Sequence, residues 1–212
     1  VQRESSFLQE VFIVPEEFYL PDVSIQKYVR CNAPFYPKFS QPEFENYLKE
    51  FEVPVENTLQ EMSYGQKKKV LIAFALACNT SLLLMDEPTN GLDILSKTQF
   101  RKILAGAVHE SKCIIISTHQ IKDLEALIDH VTIVDEGKIL FDRSIDDIAS
   151  KLAFKFSSGQ HSTDDVIYKE ETLSGKALVV LNSENETTRI DLELLYKAVV
   201  TNPEAIQLAF HQ

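Results

Sequence analysis

Short apolar runs that end on proline or acidic residues alternate along this chain with longer stretches in which apolar residues recur every three or four positions. Phe12-Ile13-Val14, stopped by Pro15, reads as a short buried strand. Gln66 to Cys78 is nearly all apolar after a basic first turn, the pattern of a buried helix. Leu82-Leu83-Leu84-Met85 runs unbroken into two acids, which predicts an interior parallel strand. Phe100, Ile103, Leu104, Ala107 and Val108 share one helical stripe; Ile114-Ile115-Ile116 predicts another interior strand, and Leu124, Leu127 and Ile128 mark a further helix. Glu136-Gly137, between Val131–Val134 and Lys138–Phe141, is a hairpin signal. The alternation predicts a three-layer α/β domain with a largely parallel sheet.

Two stretches depart from this rhythm. From Pro21 to about Gln60, prolines 21, 34, 37, 42 and 54 punctuate short aromatic-rich helical segments such as Phe44 to Phe51, so a small helical subdomain is expected over about 17–65. Near Ser150 the pattern changes again. Phe154-Lys155-Phe156, Val166-Ile167-Tyr168 and Ala177 to Leu181 read as strands separated by Ser/Gly/Asn-rich turns. Asp191 caps a helix in which Leu192, Leu195 and Val199 share a face, and Asn202-Pro203 ends it and starts a last one. The expected organisation is a main domain over 1–150 and a small α+β extension over 151–212.

Composition narrows the function. Of 212 residues, 44% are hydrophobic and 25% charged, as in a globular protein rather than a disordered one. The net charge of −11 speaks against nucleic acid as a partner and against adsorption to anionic lipid. Cys31, Cys78 and Cys113 are scattered, without metal-ligand spacing, and read as reduced thiols. No apolar run approaches the roughly 20 residues needed to span a bilayer. In the absence of a visible secretory pattern, Asn79-Thr80-Ser81 and Asn185-Glu186-Thr187 read as chance sequons.

The chemistry concentrates in Asp86-Glu87-Pro88. Two acids at the C-terminal end of an interior strand lie where open α/β sheets bind ligands. Phosphoryl transfer needs one carboxylate for Mg²⁺ and a group to orient or deprotonate water, and adjacent residues can divide those tasks: Asp86 for the metal, Glu87 for the water. The plainer alternative is two solvated acids opening a loop. Upstream, Ser63-Tyr64-Gly65-Gln66 precedes the buried helix and offers a hydroxyl, a close-approach glycine and helix N-terminal N–H groups, which suit an anion. Lys67-Lys68-Lys69 adds positive charge, although such a run is ordinarily a solvated helix face.

Order and spacing bring these pieces together. Ser63-Tyr64-Gly65-Gln66, a helix, Leu82 to Pro88, Gly91-Leu92-Asp93, then a helix and a strand ending in Ser117-Thr118-His119 resemble the ABC-transporter ATPase family, as its signature, Walker B, D-loop and switch histidine. Pro15-Glu16 falls where the Q-loop stands. The resemblance runs from Phe7 to about Ser150 and implies a P-loop NTPase-like parallel-sheet core. It implies ATP and Mg²⁺ as cofactors. Asp86 would support Mg²⁺, with Glu16 at the metal directly or through water. Glu87 would be the general base, and His119 would contact the γ-phosphate and hold Glu87. Ser63, Tyr64, Gly65 and Gln66 would face the nucleotide of a second ATPase subunit, and Asp93 would organise that interface.

Three departures qualify the resemblance. Glu16 replaces the usual glutamine, Tyr64 replaces the first signature glycine, and no G-x-x-x-x-G-K-[ST] loop occurs in the 212 residues. With Val1 as the first residue, the expectation is a core lacking its N-terminal portion, inactive by itself. Val11 to Glu17 resembles the Q-loop of single-domain ATPase subunits of bacterial exporters. That implies transmembrane permease subunits as partners, a homo- or heterodimer of ATPase subunits, and a cytoplasmic position on the inner face of the membrane. Phe18, Tyr19 and Leu20 would belong to the docking surface. The alternative is a non-catalytic regulatory or binding protein that retains the fold.

Overall fold

The computed structural model describes residues 4–109, 111–157, 166–173 and 175–211, in two compact units that divide between Asp123 and Leu124. The first unit opens with a single helical turn, α1 (Ser5–Leu8), and is built on a parallel sheet of three strands: β1 (Val11–Val14), β2 (Leu82–Asp86) and β3 (Cys113–Ser117), in that order. The register pairs Val14 with Met85 and Met85 with Ile116, and closes with Asp86 opposite Ser117. Strand alternation sends Phe12, Val14, Leu83 and Met85 into the core. On the opposite face Ile13 and Ile115 are 58% and 54% exposed. The expected three layers are therefore not present around the described strands. β3 is an edge strand of this sheet, not the interior strand expected from its three isoleucines, and Ile13 does not share the burial of its neighbours. An apolar run reports β propensity; which face is covered depends on the other elements.

Between β1 and β2 lie α2 (Ile25–Asn32), a 3₁₀ turn (Ala33–Phe35), α3 (Gln41–Glu50) and α4 (Tyr64–Ala77). Ser24, Ser40 and Ser63 cap the three helices, each accepting a backbone N–H three residues on. α4 is apolar almost all round because it is buried almost all round: every residue from Val70 to Ala77 is in the core. Phe74 lies among the rings of Phe12, Tyr28, Tyr36, Phe39 and Phe44. The proline-punctuated segment thus packs on the helix that feeds β2. The lysine run is not a solvated face. Lys68 is 0% exposed, and Lys69 donates to the Phe51 carbonyl at 3.0 Å.

After β2, α5 (Ile94–Ala107) buries Phe100, Ile103, Leu104 and Ala107. The helix expected at Leu124 to Ile128 is instead a turn, closed by Leu127 N–H donating to Leu124 O at 2.8 Å after a 3₁₀ turn over Ile121–Asp123. The spacing of Leu124, Leu127 and Ile128 suits one helical face, but so short a stretch supplies too few successive hydrogen bonds to propagate a helix.

The second unit contains the expected hairpin, β4 (His130–Asp135) and β5 (Lys138–Ser144). Its two-residue turn puts both Glu136 and Gly137 at positive φ, 47° and 74°. Then come α6 (Ile145–Lys151) and an antiparallel sheet of β6 (Leu152–Ser157), β7 (Val166–Thr172) and β8 (Gly175–Leu181) with β8 central, followed by α7 (Leu192–Thr201) and α8 (Pro203–His211). Asp191 caps α7 through Leu194 N–H. The turn expected beyond Phe156 lies largely outside the described residues. By packing, the hairpin and α6 group with the C-terminal sheet, and the domain boundary at residue 150 stands as a proposal about the ATPase domain. Among the described residues no helix is long and apolar enough to cross a membrane.

Candidate functional site

The parallel register of β2 and β3 delivers the site. Asp86 is the last residue of β2, and its Oδ1 accepts a hydrogen bond from Ser117 Oγ on β3 at 2.5 Å. Glu87, the next residue, has a left-handed backbone (φ 43°) immediately before Pro88. Such a conformation persists only when neighbours over-determine it. Four polar groups of Glu87 are held. Its N–H donates to Ser117 O at 2.9 Å, and its carbonyl accepts from Lys68 Nζ at 2.7 Å and Asn90 N–H at 3.1 Å. Oε2 accepts from Thr118 Oγ1 at 2.9 Å, while Oε1 meets His119 N at 2.8 Å and His119 Nδ1 at 2.7 Å. The Glu87 side chain is 13% exposed and that of His119 72%, so the carboxylate is mostly covered while the imidazole that meets it through Nδ1 stays open to solvent.

Glu16, Tyr64 and the loop after Glu87 form a second cluster. Glu16 Oε1 accepts from Asn90 Nδ2 at 2.6 Å, and its backbone carbonyl accepts from the Tyr64 hydroxyl at 2.5 Å. The Tyr64 ring stacks on Phe18 at 5.3 Å and lies over Gly91, where a Cβ would fall 2.7 Å from Tyr64 Cδ1 and Cε1. Burial raises the Tyr64 hydroxyl above the ordinary tyrosine value, with Glu16 and Glu17 adding to it. A Cβ at Gly65 would stand 3.0 Å from Gly91 O, a tight contact that would push the two segments apart by a few tenths of an ångström. The signature-like and D-loop-like segments meet there.

Ser63 and Gln66 form a reciprocal capping box: Ser63 Oγ accepts from Gln66 N–H at 3.3 Å, and Gln66 Oε1 accepts from Ser63 N–H at 2.9 Å. Their side chains thus order the helix start, leaving the first-turn N–H groups of Tyr64 and Gly65 with no carbonyl ahead of them in the helix. Asp93 caps α5 through Ser96 N–H at 2.7 Å. That bond holds its carboxyl below the ordinary aspartate value. Ile94 and Leu95 beside it are exposed.

The structure therefore brings Asp86, Glu87 and His119 together, and separately Glu16, Tyr64 and Gly65. Glu16 directs its carboxylate to Asn90, and among the described residues no group of three His, Cys, Asp or Glu side chains is placed to hold a metal ion. Asp86 suits Mg²⁺ as a single protein carboxylate, since that ion is ordinarily held by one or two carboxylates with phosphates and waters. Of the proposed docking residues Tyr19 is exposed and Phe18 half-buried, but Leu20 is in the core and offers no surface. The sequence reading missed Thr118, Asn90 and Lys68. The first two adjoin motif residues. Lys68 had no signal, because a charge run reads as solvated. Burial lowers its ammonium pKa, opposed by the charges of Glu16, Glu87 and Asp86.

The ABC transporter family model matches residues 2–90. An uncharacterized ABC transporter ATP-binding protein of Methanocaldococcus jannaschii is 32% identical over 117 residues, 54% of this chain and 45% of that protein. A ribose import ATP-binding protein of Rhizobium etli is 31% identical over 108 residues, 51% of this chain and 21% of that protein. The chain thus spans less than half the length of these curated relatives. Among solved structures, the ATP-binding subunit of an ABC transporter superposes with a TM-score of 0.60 at 25% identity, over 68% of this chain and 62% of the other. Over these stretches the chain is similar to ABC transporter ATP-binding proteins, and its fold is the P-loop NTPase-like fold of the ATP-binding subunit that superposes on it.

Proposed function

We propose that this chain is part of an ATP-hydrolysing subunit that powers export through separate transmembrane permease subunits, from the cytoplasmic face of the membrane. The observation that carries the reading is the Glu87 carboxylate, held by Thr118 and His119 at the end of β2 beside Asp86. Glu87 takes the proton of the attacking water. His119 orients that carboxylate through Nδ1 and offers Nε2 to the γ-phosphate. Asp86 would hold Mg²⁺, which supplies charge neutralisation at the phosphates when bound. The first turn of α4 faces the γ-phosphate on a second ATPase subunit, and exposed Ile94 and Leu95 beside Asp93 support a subunit contact on that side. Closing the dimer then assembles two composite sites. Export rests on the likeness of Val11 to Glu17 to exporter Q-loops.

The protein as its gene encodes it is assayed for Mg-ATP turnover beside its Glu87→Gln variant. Loss of a general base lowers kcat by roughly 10²–10⁴-fold; equal rates rule out the role given to Glu87. The 212 residues alone contain no G-x-x-x-x-G-K-[ST] loop and are expected to bind no Mg-ATP at micromolar concentration by calorimetry. The alternative reading, a regulatory or binding protein that keeps the fold, predicts no turnover in the protein as its gene encodes it, and the intact Glu87 and His119 weigh against it.

A further inference from the structure

Among the described residues Lys68 is a lysine whose burial demands a reason. An ammonium taken wholly out of water is costly unless it is well paired, yet Lys68 is 0% exposed in the middle of three lysines. Its Nζ donates to Glu87 O at 2.7 Å and lies 5.7 Å from the centre of the Tyr64 ring, one helical turn back on the same face of α4. Neither contact is with a carboxylate oxygen. The ammonium is spent on the backbone of a residue whose left-handed conformation must be imposed from outside.

The bonds to Glu87 differ in origin. Ser117, Thr118 and His119 reach it from the end of β3, and the Asn90 N–H closes its own turn. Lys68 reaches it from α4, the helix whose first turn carries Ser63, Tyr64 and Gly65. We propose that Lys68 is a positioning residue: its buried ammonium ties the phosphate-facing helix start to the backbone of Glu87, so the water-activating carboxylate and the segment facing the second subunit's nucleotide keep a fixed relation. The turn held by Lys68 also contains Asn90, whose side chain holds Glu16, so one ammonium bears on both clusters. The catalytic consequence rests on the proposed ATPase reading; the structural tie does not.

The experiment separates the two. Amide hydrogen exchange is followed by NMR in the wild-type 212-residue chain and in Lys68→Met. The Glu87 amide, bonded to Ser117 O, and the His119 amide, bonded to Glu87 Oε1, are expected to exchange at least tenfold faster in the variant. Phe74 in α4 and Leu83 in β2 serve as internal references and keep their rates. Unchanged exchange at Glu87 and His119 overturns the proposal. So does uniform acceleration that includes Phe74 and Leu83, which would make Lys68 a packing residue only. Should Lys68→Met not fold, Lys68→Gln, with a shorter neutral donor, is expected to show the same local pattern. In the gene-encoded protein Lys68→Met is expected to lower kcat at least tenfold with KM for ATP within threefold of wild type. A parallel fall in kcat and rise in KM contradicts positioning. Absence of turnover in the wild type sinks the ATPase reading and leaves the exchange result to decide Lys68.

Discussion

Replacing Gly91 with alanine tests the contact between the signature-like segment and the loop after Glu87. Gly91 has φ +78°, a conformation that costs an L-residue about 1–2 kcal/mol. The new Cβ would also stand 2.7 Å from two ring carbons of Tyr64, where carbon contacts normally settle near 3.5–4.0 Å, so the ring must retreat by roughly 1 Å. That retreat strains its hydroxyl bond to Glu16 O, worth about 0.5–1.5 kcal/mol, and its stack on Phe18, worth about 0.5–1.5 kcal/mol. Gly91→Ala should therefore cost about 3 kcal/mol in wild type. In a Tyr64→Ala background only the backbone penalty of about 1–2 kcal/mol remains. Native-state hydrogen exchange at α4 and β2 amides under graded urea measures both free energies within the first unit. Equal costs in the two backgrounds would refute the packing of Tyr64 over Gly91. A Gly91→Ala chain as stable as wild type would refute the backbone argument as well.

Two further outcomes follow from the same structure. Phe74→Ala removes the ring around which five aromatic side chains gather, and should destabilise the first unit by about 3–5 kcal/mol in urea unfolding; a loss under about 1 kcal/mol would mean the cluster is not its core. Asp93 has its folded-state carboxyl depressed by the Ser96 N–H, so its stabilisation is present above the ordinary value of 3.8 and lost as pH falls through the lower folded value. Asp93→Asn keeps a capping acceptor without the titration, so the difference in urea midpoint between the two proteins should close as the pH falls below 3.8, and a difference that widens toward acid would refute it.

Much of this site could be read along the chain because its parts are local. Asp86 and Glu87 follow an apolar run whose length and sharp stop read as a strand, and Ser63 with Gln66 spells a capping box whose bonds span three residues. The Glu136-Gly137 turn follows from backbone sterics alone. What escaped the reading depends on neighbours distant in sequence. Ile115 and Leu83 are both apolar strand residues, yet one is 54% exposed and the other buried, because only one side of the sheet is covered by α4 and its aromatic partners. Leu124 to Ile128 had helical spacing, but too few hydrogen bonds to nucleate a helix.

The order of motifs, the strand-end acids, the helix caps and the hairpin were determined by the sequence alone, since each rests on conformational preferences that act over a few residues. Tertiary structure decided what those residues do to one another. Only the register of β2 against β3 puts Thr118 and His119 on the Glu87 carboxylate. Only the packing of α4 beneath that strand end turns Lys68, one of three adjacent lysines, from a solvated charge into a buried donor. The physical reason is that the cost of burying a charge is set by its surroundings, and these are assembled from segments 19 to 32 residues apart that no local pattern records.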